Sequence, residues 1–290
     1  MNSKAARKDP HFQRVTIIGV GLIGGSLALD LKEKGIAEEI VGVGRSRENL
    51  DLALSRRIVD RAVSDPVEGV KDAELVVLAT PVRAIIPTAR KILPALKPGA
   101  YLTDVGSVKA PIVKEMEKAG VINFVGGHPL AGSEKGGAGA ARAGLFAGNR
   151  VILTPTKKTD SRVIRVVQEV WEAIGAQVFC LDPKEHDLIL AAVSHLPHAV
   201  SASLVQAVFR RFSGEEIKRT GAGSFRDLSR ISASPPELWR DILSLNREPM
   251  LEILADFRKR LAELETYIKE GKSEKILEFF SEAKKYRDAL

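Results

Sequence analysis

Near the amino terminus, a short run of β-branched residues leads into a glycine-rich loop and then into a helical segment. Residues 15–20 (VTIIGV) predict a buried parallel strand, and residues 22–34 predict a helix that ends at Gly35. The loop between them reads GVGLIG, which fits the pattern Gly-x-Gly-x-x-Gly. In such a unit the glycines permit a tight turn, a close approach of the backbone to a diphosphate, and close packing of helix on strand. The pattern predicts dinucleotide binding by Gly19, Gly21, Leu22, Ile23 and Gly24.

Strand-like and helix-like segments alternate over the first 180 residues. Further strands are predicted at 40–43, 75–79, 101–104, 121–125, 150–154 and 176–180, with helices at 82–96, 108–119 and 161–174. This alternation predicts an α/β fold with a Rossmann-type, doubly wound, mostly parallel sheet. Thr80 and Pro81, which follow the third predicted strand, are expected to join the cofactor residues.

The remainder of the chain is predicted to be all-helical. Asp182 and Pro183 form a typical helix start, and no strand-like run recurs after them. We therefore expect a basic tail at 1–14, an NAD(P)-binding domain at 15–180 and a helical domain at 181–290. The helical domain is small and rich in apolar positions, which favours a shared core with a second copy of the chain.

The positive charge of the chain is confined to its first part. The formal net charge is +7, from 44 Lys and Arg against 37 Asp and Glu. Residues 1–180 hold 26 basic and 19 acidic side chains, whereas residues 181–290 hold 18 of each. With three Tyr and two Trp there is no basic patch interleaved with aromatic residues, so nucleic acid is not an expected partner. The excess of positive charge in residues 1–180 instead favours small anionic ligands.

Several other classes of protein are disfavoured by composition. Cys180 is the single cysteine and is expected to be buried, and the five histidines lack paired metal-ligand spacing. The basic N-terminus has no apolar core typical of a signal peptide, and no stretch approaches 18 apolar residues. A soluble cytoplasmic protein without a metal or a membrane span is therefore expected.

The predicted ribose-binding position lacks its usual acidic residue. At the end of the second strand the sequence reads Gly44-Arg45-Ser46, and no carboxylate occurs before Glu48. Glycine leaves room for a 2′-phosphate and arginine neutralises it, so the pattern favours NADP or dual use of NAD and NADP. The alternative is a solvent-facing arginine loop that accepts either cofactor.

Three further motifs carry residues suited to proton transfer and anion binding. Residues 126–137 (GGHPLAGSEKGG) place His128 on a loop after a predicted strand, where ligand crevices of open α/β sheets lie. Residues 194–198 (SHLPH) and 225–231 (FRDLSRI) supply more histidines and an arginine. These segments predict an anionic substrate at the domain boundary.

Taken together, the motifs resemble those of the prephenate dehydrogenase family, whose members include enzymes that accept arogenate. The resemblance rests on GVGLIGGS, DVGSVK, GHPLAGSEKGG, SHLPH, FRDLSRI and WRDI, in order from about residue 13 to beyond 245. It implies oxidative decarboxylation of prephenate to 4-hydroxyphenylpyruvate on the route to tyrosine. It also implies a Rossmann-type domain followed by a helical domain that forms a homodimer.

The resemblance assigns roles to individual residues. It implies that His128 accepts the proton of the ring hydroxyl and that Ser107 orients this histidine, although Ser107 could equally cap the following helix. It implies that Arg230 binds a substrate carboxylate and that His195 contacts substrate, the alternative for Arg230 being a surface salt bridge. Ser133, Glu134, Asp227 and Trp239 would line the substrate site, and the last two could come from the partner subunit.

Other functions compete with this interpretation. The nearest is an arogenate or dual-specificity cyclohexadienyl dehydrogenase, which would use the same catalytic residues. A β-hydroxyacid dehydrogenase is disfavoured by the GHPLAGSE and SHLPH motifs, and a non-catalytic NAD(P)-sensing dimer would not need His128 or Arg230. We find no segment that predicts a regulatory ACT domain or a chorismate mutase, so inhibition by tyrosine would have to act at the active site.

Overall fold

The computed structural model describes residues 10–132 and 136–289, and in this part of the chain eight strands form one sheet. The strands are β1 (Phe12–Ile18), β2 (Ala37–Val43), β3 (Arg61–Val63), β4 (Leu75–Leu78), β5 (Tyr101–Asp104), β6 (Phe124–Pro129), β7 (Arg150–Thr154) and β8 (Gln177–Cys180). Their spatial order is β3-β2-β1-β4-β5-β6-β7-β8. The first six strands are parallel, β7 runs antiparallel to β6, and β8 is parallel to β7. This order of the first six strands is that of a dinucleotide-binding sheet.

Helices cover both faces of this sheet, as a doubly wound fold requires. They are α1 (Leu22–Glu33), α2 (Arg47–Ser55), α3 (Pro66–Gly69), α4 (Val82–Ile92), α5 (Ala110–Lys118) and α6 (Ser161–Ala173). Leu27 of α1 and Trp171 of α6 belong to one buried apolar cluster, and Ile85 of α4 and Ile112 of α5 belong to the other. The predicted fold class is confirmed.

Four strands differ from the sequence-based expectation by more than one residue; β2 begins at Ala37 rather than residue 40. Strand β1 begins at Phe12 rather than residue 15, because Phe12 is buried and Arg14 pairs with Glu39 of β2 at 2.6 Å. Strand β3 was not predicted, since it is three residues long and only half-buried. Strand β6 was expected at 121–125 but runs to Pro129.

After β8 every described element is helical. The helices are α7 (Pro183–Leu190), α8 (Leu196–Phe209), α9 (Gly214–Thr220), α10 (Gly223–Arg230), α11 (Pro236–Leu245), α12 (Arg247–Lys269) and α13 (Ser273–Asp288). Asp182 caps α7 as predicted, with its carboxylate accepting from the backbone N–H of Lys184. A π-helical turn, Ala191–His195, joins α7 to α8. Such turns insert an extra residue and frequently occur at functional sites.

One expectation about this region is wrong and another is untested. Cys180 is exposed at the end of β8, because β8 is the edge strand of the sheet. The expectation that no segment spans a membrane stays a prediction, although the helical stretch Pro183–Phe209 is long and apolar enough to do so by length and composition. That criterion is weak evidence for a span, since core helices also meet it, and here His186, Asp187 and His195 are buried within the protein.

Candidate active site

The glycine loop has the geometry of a diphosphate cradle. Gly19 adopts φ +105°, and a Cβ atom there would lie 2.5 Å from the carbonyl oxygen of Ala79. A Cβ on Gly24 would collide with the carbonyl oxygen of Gly19 and lie 2.9 Å from the Ala79 side chain. By contrast, a Cβ on Gly21 would meet no atom of the described residues within 4 Å, its chain neighbours aside. Gly21 therefore leaves open space in front of the backbone, which is where a diphosphate would bind.

A cleft of about 1150 Å³ opens in front of this loop. Its lining includes the expected cofactor residues Gly19, Gly21, Arg45, Ser46, Thr80 and Pro81. Leu22 and Ile23 begin α1, whose first turn has no acidic residue and whose N-terminus is not capped by any side chain of the described residues. The free N–H groups and the helix dipole there favour an anion. The Thr80 Oγ1 is buried and lacks a hydrogen-bond partner among the described residues, so this donor is available to a ligand. These features fit a bound dinucleotide.

The ribose edge of the cleft is cationic. Arg45 is exposed and forms no ion pair within the described part of the chain, whereas Arg47 pairs with Asp51 at 3.0 Å. Ser46 caps α2 through its hydroxyl, which accepts from the Asn49 N–H at 3.2 Å. Arg45 is thus the cation left available to a phosphate at this edge.

His128 lies within β6 rather than on a loop after it. It pairs with Ile152 of β7 across the antiparallel ladder. The strand extends through the polar segment because Gly126 and Gly127 allow close packing; a Cβ on Gly127 would lie 2.7 Å from the Asp104 carbonyl oxygen. The close packing of β5, β6 and β7 thus fixes the backbone that carries His128.

The imidazole of His128 is buried and electrically neutral at neutral pH. The residue is 8% exposed, and burial lowers the pKa of its ring well below 6.5; protonation of His186 or His195, and the ammonium of Lys109, act in the same direction. Its Nδ1 lies 2.9 Å from Nε2 of His186. A neutral imidazole in this position can accept a proton from a hydroxyl group.

A buried ion pair lies behind His128. The ammonium of Lys109 contacts the carboxylate of Asp104 and donates to the Gly127 carbonyl oxygen at 2.7 Å. The carboxylate in turn accepts from the backbone N–H of Gly127 at 3.3 Å and of Gly106 at 2.8 Å. Burial raises the pKa of Asp104 and lowers that of Lys109, and each partner opposes the shift of the other. Both polar groups of the Gly127 backbone are therefore held by this pair.

Ser107 does not cap helix α5. The helix starts after Lys109, and the N–H groups of Lys109 and Ala110 donate to the Asp187 carboxylate at 2.7 and 2.8 Å. The capping alternative for Ser107 is thus wrong, because a carboxylate from α7 takes that position. Ser107 lies on the same loop, half-buried, and makes no hydrogen bond with His128 within the described residues. Its orienting role stays a prediction.

His195 is held in a defined tautomer. The amide Nδ2 of Asn246 donates to Nδ1 of His195 at 3.1 Å and to the Asp187 carbonyl oxygen at 2.8 Å. Because this amide nitrogen can only donate, the proton of neutral His195 must be on Nε2. Burial lowers the pKa of His195 to about 4, so the ring is a neutral donor at neutral pH.

An aromatic row connects His195 to Arg230. The Trp239 ring lies edge-on to His195 at 6.1 Å and stacks on His198 at 3.9 Å, so this chain's own Trp239 reaches its own His195. Trp239 Nε1 is buried without a partner in the described region. Arg230 ends α10, is exposed, and lies close enough to His198 for its charge to lower the pKa of that ring. Arg230 forms no ion pair with the described residues, contrary to the salt-bridge alternative.

The structure supports no specific contact for the remaining expected substrate residues within the described part of the chain. Asp227 is exposed on α10, one turn before Arg230, and makes no ion pair with residues 10–132 or 136–289. Ser133 and Glu134 lie outside the described residues. Their roles therefore stay predictions.

Three residues beside His128 and His195 were not identified from sequence. His186 contacts His128, Asp187 contacts His186, and Asn246 contacts His195. None belongs to one of the quoted motifs. His186 and Asn246 lie more than 50 residues along the chain from the histidines that they contact, and Asp187 reaches His128 only through His186. The segment around His186 and Asp187 (PKEHDLIL) also contains other charged residues, so the pair forms no distinctive local pattern.

Comparison with protein-family models gives two adjoining matches. The family model described as "Prephenate dehydrogenase, nucleotide-binding domain" matches residues 27–180. The model described as "Prephenate dehydrogenase, dimerization domain" matches residues 182–282.

Similar proteins agree with these matches. Prephenate dehydrogenase of Bacillus subtilis is 35% identical over 95% of this chain and 76% of its own length. Cyclohexadienyl dehydrogenase of Zymomonas mobilis is 37% identical over 96% of each chain. A crystal structure of prephenate dehydrogenase from Aquifex aeolicus, in complex with hydroxyphenyl propionate and NAD+, superposes with a TM-score of 0.91 at 36% identity, covering 97% of this chain and 99% of the other.

Proposed function

The chain belongs to the prephenate dehydrogenase family, and from that premise we propose how its residues convert prephenate to 4-hydroxyphenylpyruvate with reduction of NAD(P). The observation that carries the proposal is His128, a buried, neutral imidazole on β6, in a sheet whose glycine loop fits a dinucleotide. A neutral base beside a hydride acceptor is what oxidation of a ring alcohol requires.

His128 moves the proton in this scheme. Its Nε2 accepts the proton of the substrate's 4-hydroxyl as the C4–H bond breaks and the C4 ketone forms. Bound NAD(P)+ supplies the hydride-accepting nicotinamide. Breakage of the bond between C1 and the ring carboxylate then releases CO2, and its electron pair moves through the ring to the oxygen at C4. The His128 imidazolium returns its proton to that oxygen, which yields the phenol.

The other residues position the two ligands. The loop Gly19–Gly24, with Arg45, Ser46, Thr80 and Pro81 on the cleft wall, would hold the cofactor. His195, as an Nε2–H donor, and Arg230, as a guanidinium without an ion pair among the described residues, would bind substrate carboxylates. Ser107, Trp239, Asp227, Ser133 and Glu134 would complete the substrate site.

We further propose that the enzyme uses NADP, or both NADP and NAD. The support is Gly44 followed by Arg45, an exposed cation without an ion pair in the described region, at the ribose edge of the cleft. A carboxylate in that position would repel a 2′-phosphate, whereas an unpaired guanidinium attracts it. An enzyme that uses these soluble, anionic ligands is expected in the cytoplasm.

We propose a homodimer formed by a helical domain at 181–290, with the cofactor domain at 15–180. In the single chain this helical part exposes many large apolar side chains, among them Val193, Phe209, Leu251, Leu261, Ile268, Leu277 and Phe280. An exposed apolar surface of this extent is typical of a protein interface. A second copy of the chain would cover it.

A second candidate function is the oxidation of arogenate, alone or with prephenate. It is favoured by the similarity, along 96% of each chain, to a cyclohexadienyl dehydrogenase. Arogenate carries an alanyl rather than a pyruvyl side chain, and the same proton and hydride transfers apply to its ring.

One assay tests these proposals together: initial rates of reduced-cofactor formation with prephenate or arogenate, each with NAD or NADP. We expect turnover of prephenate and a kcat/KM with NADP at least comparable to that with NAD. A preference of tenfold or more for NAD would contradict the cofactor proposal. Turnover of arogenate alone would favour the second candidate, and turnover of neither substrate would contradict the proposed function.

A further inference from the structure

A row of three buried groups extends away from His128 into the helical part of the chain. His128 Nδ1 lies 2.9 Å from His186 Nε2, and His186 Nδ1 lies 2.8 Å from Oδ1 of Asp187. The relative exposures of His128, His186 and Asp187 are 8%, 0% and 2%. Water therefore has little access to these hydrogen bonds, so the groups must satisfy one another.

The direction of each hydrogen bond follows from Asp187. Its Oδ1 accepts from the Lys109 N–H at 2.7 Å and its Oδ2 from the Ala110 N–H at 2.8 Å. Both oxygens thus face donors and act as the acceptors of an ionised carboxylate. The contact between Asp187 Oδ1 and His186 then requires a proton on His186 Nδ1.

The ring of His186 is neutral at neutral pH, so the proton on Nδ1 is the one proton that its two nitrogens carry. Burial lowers the pKa of its ring, and the nearby ammonium of Lys109 acts in the same direction, although the bond to Asp187 opposes both. With Nδ1 protonated in a neutral ring, Nε2 of His186 is an acceptor. The proton in the bond between the two histidines therefore belongs to Nδ1 of His128.

We propose that His186, oriented by Asp187, is a positioning residue that holds His128 in the Nδ1–H tautomer and leaves Nε2 as the basic nitrogen. This inference rests on the proposed function, in which His128 accepts the substrate's proton. A neutral imidazole with the opposite tautomer presents an N–H to the substrate and cannot act as its base.

The same row stabilises His128 after it has accepted the proton. The imidazolium directs its Nδ1–H at the lone pair of His186, and the carboxylate of Asp187 lies behind that ring. The other charged or titratable groups around His128 are Lys109 and Asp104, paired with each other at the end of β5, and His195 from the π-helical turn. Asp187 is thus the carboxylate connected through hydrogen bonds to the ring itself.

Two substitutions of His186 separate positioning from general structural support. In His186→Gln the amide lies near the original Nε2, so its oxygen can accept from His128 Nδ1–H. In His186→Asn the amide lies near the original Nδ1, so it can donate to Asp187 but does not reach His128. Both replace an aromatic ring by an amide, which makes them matched variants.

The kinetic result should differ between the two variants. We expect kcat with prephenate to fall by about 10²-fold in His186→Asn and by less than about 10-fold in His186→Gln, since general-base catalysis contributes roughly 10²–10⁴-fold. The KM for prephenate and the Kd for the cofactor should change less than about threefold in both, because His186 is fully buried and does not line the cofactor cleft. Equal losses of kcat in the two variants would overturn the inference.

The tautomer can be determined directly by ¹⁵N NMR of enzyme that contains ¹⁵N-labelled histidine. The signals of His128 are identified by their loss in His128→Asn. We expect a protonated Nδ1 and an unprotonated Nε2 in the wild type and in His186→Gln, but not in His186→Asn. A proton on Nε2 of wild-type His128 would overturn the inference even if the enzyme oxidises prephenate. Absence of turnover with the expected tautomer would instead contradict the proposed function alone.

Discussion

At the scale of single residues, the site depends on histidines that stay neutral. The pKa of His128 lies well below 6.5 and that of His195 is about 4, in both cases mainly because of burial. His128 acts as a base and His195 binds through a fixed tautomer, so both work in the neutral form. A lowered pKa preserves that form as the pH falls.

We therefore expect kcat/KM for prephenate to stay level from neutral pH down past 6.5 and to decline only in more acidic solution. The decline follows protonation of these two histidines. A pH–rate profile of the wild type checks this expectation. An acid limb with a midpoint at or above 6.5 would show that the base is a more solvated group than His128.

Arg230 carries a separate prediction about the substrate carboxylates. Replacing it by alanine should raise KM for prephenate by about 10-fold or more, because an ion-assisted hydrogen bond is lost, with a smaller effect on kcat. Arg226→Ala is the matched control, since Arg226 is an exposed arginine on the same helix. If the two variants show the same KM, the carboxylate binds elsewhere.

The sequence led to His128 but not to the groups that surround it. The glycines and the proline that flank His128 form a distinctive local pattern, whereas His186 lies in an ordinary helical segment. The contact between the two rings depends on the packing of α7 against the start of α5, where Asp187 accepts from the N–H groups of Lys109 and Ala110. Such a contact has no local sequence signal, so only the three-dimensional fold identifies it.

At the scale of secondary-structure elements, two glycines of one loop serve different purposes. Gly24→Ala places a methyl group against the backbone of Gly19 and the Ala79 side chain, whereas Gly21→Ala points its methyl group into open space. We expect Gly24→Ala to lower Tm, because overpacking typically costs about 1–3 kcal/mol.

Gly21→Ala should instead keep the wild-type Tm and raise the Kd for NAD(P) by about 10-fold or more, because its methyl group occupies the space of the diphosphate. Thermal unfolding and cofactor titration of both variants check this pair. Unchanged cofactor affinity in Gly21→Ala would place the diphosphate elsewhere.

The predicted elements agree with the structure where apolar runs are continuous. Strand β4 (Leu75–Leu78) is fully buried, and its predicted bounds, 75–79, differ from the observed ones by one residue. The errors lie where packing, rather than composition, determines the strand: β3 has no apolar run, and β6 extends through Gly-Gly-His-Pro because the neighbouring strands approach closely. Sequence periodicity does not report such close approaches.

At the scale of the whole molecule, helices α12 and α13 expose apolar residues that a monomer would leave in water. Ile268 is 61% exposed and Phe280 is 59% exposed. If a second copy covers them, the wild type should have twice the mass of one chain by analytical ultracentrifugation. Ile268→Glu combined with Phe280→Glu should shift the enzyme towards monomer, because charges in an apolar interface are costly to bury.

The control for this variant is Ile122→Glu, which adds a charge at a similarly exposed apolar residue outside the helical part. It should leave the dimer intact. A wild type that sediments as a monomer, or a double variant as dimeric as the wild type, would contradict the proposed interface.

The central claim is that His128 is the base in the oxidation of prephenate, and the most direct measurement is kcat of His128→Asn. The asparagine amide can still donate to His186, but it cannot accept a proton from the substrate. We expect kcat to fall by about 10²–10⁴-fold while the Kd for the cofactor stays at the wild-type value. Turnover close to that of the wild type would contradict the claim.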